Sequence, residues 1–219
     1  MASTSRNSVS SQLERLFREG TLTSLSDAQL LERYLTARDE AAFEALVNQH
    51  GPMVLGLCRR LLRDPRDVED AFQATFLVLV RKAPRIRDRG LLANWLYGVA
   101  YRVAVRARGN LLRRRARETS LGEIDPPATP DSDYPQEIPP ALDQELNRLP
   151  ARYRSPLVLC YLKGLTHDQA AKALGCPVGT VRSRLARGRE LLRDRLTRRG
   201  CAPTSALLGI GSGHFPQAF

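Results

Sequence analysis

The sequence predicts an all-α fold of two small helical domains joined by an acidic, proline-rich linker. Three observations predict it. Apolar residues recur at spacings of three and four from residue 26 to 117, and again from 139 to 197. The apolar set is mostly Leu, Ala and Val, with aromatics at only 6%, a mix that favours helices over sheets. Between the two periodic stretches, residues 118–145 hold six prolines, eight acidic residues and no basic one. Such a segment stays extended and self-repelling. The expected organisation is a flexible N-terminal segment (1–26), a first helical domain (27–117), the linker (118–139), a second helical domain (140–197) and a flexible tail (198–219).

In the first domain, Ser26 and Asp27 are placed to cap a helix carrying Leu30, Leu31, Tyr34 and Leu35. A second helix runs from about Asp39 to Leu62, and Gly51-Pro52 predicts a break or bend inside it. Asp64-Pro65 starts a third. Pro65 suits a first helical turn, and Asp67, Glu69 and Asp70 suit the positive end of the helix dipole. Val68, Phe72, Phe76 and Leu79 form its buried stripe, and Pro84 ends it. After a basic loop, a fourth helix begins near Leu92, with Trp95, Leu96, Val99 and Val103 facing inward. In the N-terminal segment, Leu13, Leu16 and Phe17 give a short apolar pattern.

The second domain contains the most specific local pattern. Leu142, Leu146 and Leu149 mark one helix, ended by Pro150, and Leu157 to Leu162 mark the next. Thr166 and Gln169 then form a capping box, Gly175 supplies a left-handed C-cap, and Pro177 stands at the start of a longer helix. Short helix, glycine turn, longer helix is the helix-turn-helix pattern. Projected at about 100° per residue, Val181, Leu185, Gly188 and Leu192 fall on one side. Thr180, Ser183 and Arg187 fall opposite, flanked by Arg182 and Arg184. Residues 182–199 carry eight arginines against two acids. Arginine reaches guanine edges and phosphates bidentately, so this helix is a candidate for the DNA major groove.

The formal charge of +11 points the same way, towards a polyanionic partner. The charge is also divided. Residues 64–70 hold Asp64, Asp67, Glu69 and Asp70, whereas residues 81–117 hold twelve basic residues against Asp88 alone. One acidic end and one basic segment suggest two partners, a protein and a nucleic acid. No Walker loop, paired-carboxylate pattern or Cys/His cluster is present, so the sequence offers no enzyme chemistry, no metal site and no cofactor site. Cys58, Cys160, Cys176 and Cys201 are scattered and read as reduced thiols. With no run of eighteen apolar residues and no apolar signal core, neither membrane insertion nor export is expected, and the expected location is cytoplasmic. A helix-turn-helix alone leaves open a stand-alone DNA-binding regulator.

The run DVEDAFQATFLVLVRKA (67–83) resembles the second conserved region of extracytoplasmic-function RNA polymerase sigma factors of the sigma-70 family. NWLYGVAYRVAVRARGNLLRRR (94–115) is similar to their promoter-melting segment, and residues 149–196 to their fourth region. The resemblance implies a promoter-binding subunit with core RNA polymerase (its β′ clamp helices and β flap) and promoter DNA as partners. An anti-sigma factor is a further partner of such proteins. Polymerase contact is implied for Asp67, Asp70 and Gln73. Contact with the −10 element is implied for Arg85, Arg87, Arg89, Asn94, Tyr97, Tyr101, Arg102 and Arg106. Reading of the −35 element is implied for Thr180, Arg182, Ser183, Arg184 and Arg187. Trp95 has a ring suited to stacking on a base, but its spacing with Val99 favours a place in the core. Many members carry Asn where Arg102 stands, a departure that bears on the −10 base preference.

Overall fold

The computed structural model describes residue 22, residues 25–120 and residues 140–201, leaving aside the side chains of 114–120 and 140. The Leu13–Phe17 pattern, most of the linker and the tail beyond 201 lie outside these residues. The described residues form helices and contain no strand.

The helix starts follow their capping residues. Helix α1 (Asp27–Ala37) begins with a complete capping box between Ser26 and Gln29 and ends at Arg38, whose backbone is left-handed at φ 52°. In α2 (Glu40–Leu61), the Asp39 carboxylate accepts from the amides of Ala41 and Ala42. Of the break or bend expected at Gly51-Pro52, the break does not occur: α2 is assigned as one helix with Pro52 inside it. Pro52 is exposed, so the carbonyl it leaves without a donor can face water, while Gly51 is buried beneath the Phe72 ring. Asp64 caps α3 (Pro65–Lys82) by accepting from the Arg66 amide at 2.8 Å. Two short 3₁₀ turns, Ala83–Arg85 and Arg89–Leu91, lead into α4 (Leu92–Ser120), which continues three residues past the expected boundary at 117. Leu30, Leu31, Leu46, Leu57, Leu79, Leu92 and Leu96 fill the space between α1 and α4. Phe72 and Phe43 pack on Phe76 at ring separations of 5.0 and 6.5 Å.

The second group comprises α5 (Pro140–Arg148), α6 (Ala151–Leu157) with a π-helical extension over Val158–Leu162, α7 (His167–Leu174) and α8 (Val178–Arg198). Thr166 and Gln169 make the expected capping box, and Gly175 closes α7 in the left-handed conformation at φ 59°. Val181, Leu185, Gly188 and Leu192 are all buried, with Leu196 continuing the stripe. Gly188 lets α6 approach α8 closely: a Cβ there would stand 2.9 Å from Leu157 Cδ1 and 3.4 Å from the Tyr153 carbonyl oxygen.

The two groups are not separate bodies. Their buried residues form one continuous cluster, with α5 lying against α2 and α4 and the π-helical segment against α4. Two polar joints cross the boundary. In one, Arg60 of α2 donates to both Asp143 carboxylate oxygens of α5, at 2.7 and 2.9 Å, and the Tyr97 hydroxyl of α4 donates to the same carboxylate at 3.0 Å. Asp143 is 1% exposed. In the other, His50 Nε2 meets Asp27 Oδ1 at 3.0 Å, and Lys163 Nζ lies 3.2 Å from His50 Nδ1 and 3.8 Å from Asp27 Oδ1. Lys163 Nζ also lies 3.3 Å from His50 Nε2, and an ammonium this close to both ring nitrogens opposes protonation of the imidazole. Removing one partner of a buried ion pair costs about 3–5 kcal/mol, whereas a well-packed apolar replacement of both is often neutral. These joints therefore select which surfaces meet more than they add net stability.

Two measurements check this packing. Replacing Gly188 with Val should lower stability by about 1–3 kcal/mol, read from denaturant unfolding, because the added atoms collide with Leu157 and backbone. Burial holds the His50 imidazole below its ordinary value, and the Asp27 hydrogen bond and charge only partly oppose this. The unfolded chain then takes up a proton near pH ~6.5 while the folded chain resists until lower pH. Stability from this group is full above that pH and is lost as pH falls through the folded value. The melting midpoint should drop between about pH 7.5 and pH 5.5, and His50→Gln should flatten that slope.

Candidate functional site

Three surfaces carry the expected residues. The first is the outer face of α3. Projection of the helix puts Asp67, Asp70 and Gln73 on one stripe. Asp70 and Gln73 are exposed, Asp67 is half-buried, and Gln73 Nε2 donates to Glu69 Oε1 at 3.0 Å. Leu77, 58% exposed, extends the same stripe by one turn. Sequence reading passed over Leu77. The signal was available, since it falls out of phase with the buried Val68, Phe76 and Leu79.

The second surface is the junction of α3, the first 3₁₀ turn and α4. Val78, Lys82, Arg85, Ile86, Trp95, Val99 and Arg102 line a groove of about 270 Å³. Its floor is apolar and aromatic and its rim is cationic, the combination that stacks a base and holds its phosphate. Trp95 does both things that its spacing left in competition: it packs against the core and lines this groove. Arg87, Arg102 and Arg106 are exposed. Arg89 is ion-paired with Glu32 of α1. Asn94 is sequestered, and neither its amide nitrogen nor its amide oxygen has a hydrogen-bond partner among the described residues. Leaving such a group unpaired costs about 1–3 kcal/mol.

Not every expected residue joins this surface. Tyr97 is 1% exposed and its hydroxyl is engaged by Asp143, so in this arrangement it faces α5 rather than the groove. Burial and the neighbouring Asp143 charge push its phenol well above the ordinary value. Tyr101 is half-buried and lies within the electrostatic reach of Arg148 and Asp143, towards the same helix. Lys82, on the groove's rim, was not singled out from the sequence.

The third surface is the start of α8. Arg182, Ser183 and Arg187 are exposed, and Thr180 and Arg184 are half-buried. The Ser183 hydroxyl donates to the Thr180 carbonyl at 3.0 Å, Arg184 leans towards Cys176, and Arg187 pairs with Glu190 one turn on. Arg182 and Ser183 together present a cation and a short hydroxyl, as groove reading needs.

Comparison with known proteins decides the class. A family model described as sigma-70 region 2 matches residues 46–118, and one described as sigma-70 region 4 matches residues 140–192. The chain is 31% identical over 190 residues to the RNA polymerase sigma-H factor of Pseudomonas aeruginosa, covering 80% of this chain and 96% of that one. It is 34% identical over 169 residues to the ECF RNA polymerase sigma factor SigM of Mycobacterium tuberculosis, covering 76% and 83%. The chain belongs to the extracytoplasmic-function sigma factors of the sigma-70 family. A third relative, the ECF RNA polymerase sigma-E factor of Haemophilus influenzae, is 28% identical over 190 residues, covering 78% of this chain and 96% of that one. As a sigma factor, the protein binds core RNA polymerase and directs promoter-specific initiation of transcription; it is not an enzyme.

Within the sigma factor, Cys58, Cys160, Cys176 and Cys201 are free thiols, and burial pushes Cys58 up to about 11, so it stays protonated. No helix among the described residues is long and apolar enough to cross a membrane.

The unpaired amide of Asn94 gives a check on the start of α4, beside Trp95 of the groove. Asn94→Leu should leave thermal stability unchanged or raise it by about 1 kcal/mol, because it removes an unsatisfied polar group. The same change should reduce promoter opening, read by permanganate reactivity of unpaired thymines. Loss of stability together with normal opening would place Asn94 in the scaffold.

Proposed function

We propose that the three surfaces divide the work of a sigma factor. The first domain (27–117) docks on the β′ clamp helices through Asp67, Asp70, Gln73 and Leu77 of α3. Its basic groove receives the −10 element. Arg85, Arg87, Arg102 and Arg106 hold the backbone there, Trp95 offers a ring edge to an unstacked base, and Asn94, sequestered in this arrangement, meets a base edge only once it is uncovered. Unstacking costs a few kcal/mol per step, which stacking and phosphate contacts offset. The second domain (140–197) enters the −35 major groove with Thr180, Arg182, Ser183, Arg184 and Arg187, and engages the β flap. Arg89, Tyr97 and Tyr101 contribute only once the contacts that now hold them are released. The work is done in the cytoplasm, where core polymerase and promoter DNA are found.

The observation that carries this division is the cationic groove with an aromatic floor, set apart from the exposed start of α8. A stand-alone regulator would need the second surface and not the first.

Substitutions should separate the partners. Asp70→Arg should weaken capture of core polymerase by at least about tenfold while leaving helical content intact, since a reversed charge opposes docking. Arg187→Ala should keep polymerase capture but lower run-off transcription from a −35-dependent template by about five- to 150-fold, the value of one bidentate contact. Equal loss of both functions in both variants would contradict the division.

A further inference from the structure

Ion pairs in this protein sort by the exposure of their acid. Asp143, Glu145, Asp27 and Asp39 are withdrawn from water, none more than 21% exposed, and they tie helices together. Two pairs differ. Glu32 of α1 meets Arg89 in the turn before α4, and Glu190 of α8 meets Arg187 one turn back; both carboxylates are 54% exposed. Pairs this wet contribute little to stability. Their placement is the informative part. One lies on each surface assigned above to the promoter, and each holds an arginine expected to meet DNA. Arg85, Arg87, Arg102, Arg106 and Arg182 of the same surfaces meet no carboxylate among the described residues.

A guanidinium binds carboxylate and phosphate through the same planar fork. An arginine that already holds a carboxylate must give it up before it takes a phosphate. A bare arginine attracts any phosphate within a Debye length. Loosely seated, non-specific complexes draw on that attraction, and they gain nothing from Arg89 or Arg187 while the glutamates sit on them. At a cognate element the neighbouring contacts fix the register of the backbone. A phosphate then stands against the arginine and exchanges with the carboxylate. Exposure makes the exchange feasible, because Glu32 and Glu190 return to water. Displacing Asp143 would instead strand a buried charge.

We propose that Glu32 and Glu190 are internal phosphate mimics, which hold Arg89 and Arg187 back from non-specific DNA and yield them at a promoter. They set specificity while touching no DNA. The inference rests on the promoter-reading assignment for what the released arginines contact.

Holoenzymes carrying Glu32→Gln or Glu190→Gln, titrated against a random-sequence duplex and a promoter fragment of equal length over a range of salt, test it. Glu40→Gln controls for net charge, since it removes an exposed acid at the start of α2 that pairs with no arginine of either surface. Each variant should bind the random duplex about fivefold more tightly than the control at low salt, the worth of one opposing charge at contact distance in water. Promoter affinity should rise less, so the specificity ratio falls. The salt slope on random duplex should steepen by up to about 0.9, as for one further phosphate contact. In an Arg89→Gln background Glu32→Gln should change nothing, and the same holds for Glu190→Gln with Arg187→Gln. Circular dichroism checks helicity, and if one glutamate variant loses it the other still decides. Random-duplex affinity no higher than the control's would overturn the proposal. So would a gain that survives loss of the arginine, or an equal gain on both DNAs. If the wild-type holoenzyme does not distinguish promoter from random duplex, the promoter-reading assignment is lost, while the paired variants on random duplex still decide whether the glutamates hold the arginines back.

Discussion

Burial of charge in an arginine-rich protein is the constraint on which this structure depends. A chain with formal charge +11 cannot bring its helices together unless the cations at each junction meet a carboxylate or turn outwards. Helix α5 supplies two of those carboxylates. Asp143 takes Arg60 and the Tyr97 hydroxyl, while Glu145, 4% exposed, takes Arg148, Arg199 and the more distant Arg195. Both belong to the stretch of sequence that is otherwise acidic and proline-rich. Part of what reads as a solvated tether therefore supplies the counter-ion on which the two helix groups meet, Asp143, and a second, Glu145, that ties α5 to the end of α8 within the second group.

The cations left over define the surfaces. Lys82, Arg85 and Arg102 stay on the rim of one groove, Arg87 and Arg106 stay exposed on the same turn-and-helix segment, and Arg182 and Arg187 stay exposed at the start of α8, Arg187 with only the exposed Glu190 as partner. Arg60 and Lys163 are withdrawn into joints. Sorting arginines by their partners thus separates groups that hold the protein together from groups available to phosphate. Net charge alone makes no such distinction.

Local features were legible in the sequence because their physics is local. The Thr166–Gln169 capping box, the left-handed Gly175 and the buried Val181–Leu185–Gly188–Leu192 stripe each depend on residues within a few positions of one another. The start of α3 at Asp64-Pro65 was readable for the same reason. Whether Pro52 breaks its helix was not legible, because the cost depends on whether the freed carbonyl meets water, which is a tertiary fact. The joints were illegible. Arg60 and Asp143 are separated by 83 positions, and no periodicity links them. Tyr97 looked like a DNA-facing aromatic within a basic helix until Asp143 was found against its hydroxyl. Leu77 lay between these cases: its phase marked it as exposed, but only the structure shows that it completes a face.

Selection of active promoters from a randomised template library, by run-off transcription with core polymerase and this protein, tests the central claim most directly. The account predicts that the recovered templates share two short conserved blocks, near −10 and −35, at a narrowly fixed spacing, because two surfaces of one bound subunit read them together. Recovery of a single block, or of two blocks at freely varying spacing, would contradict it.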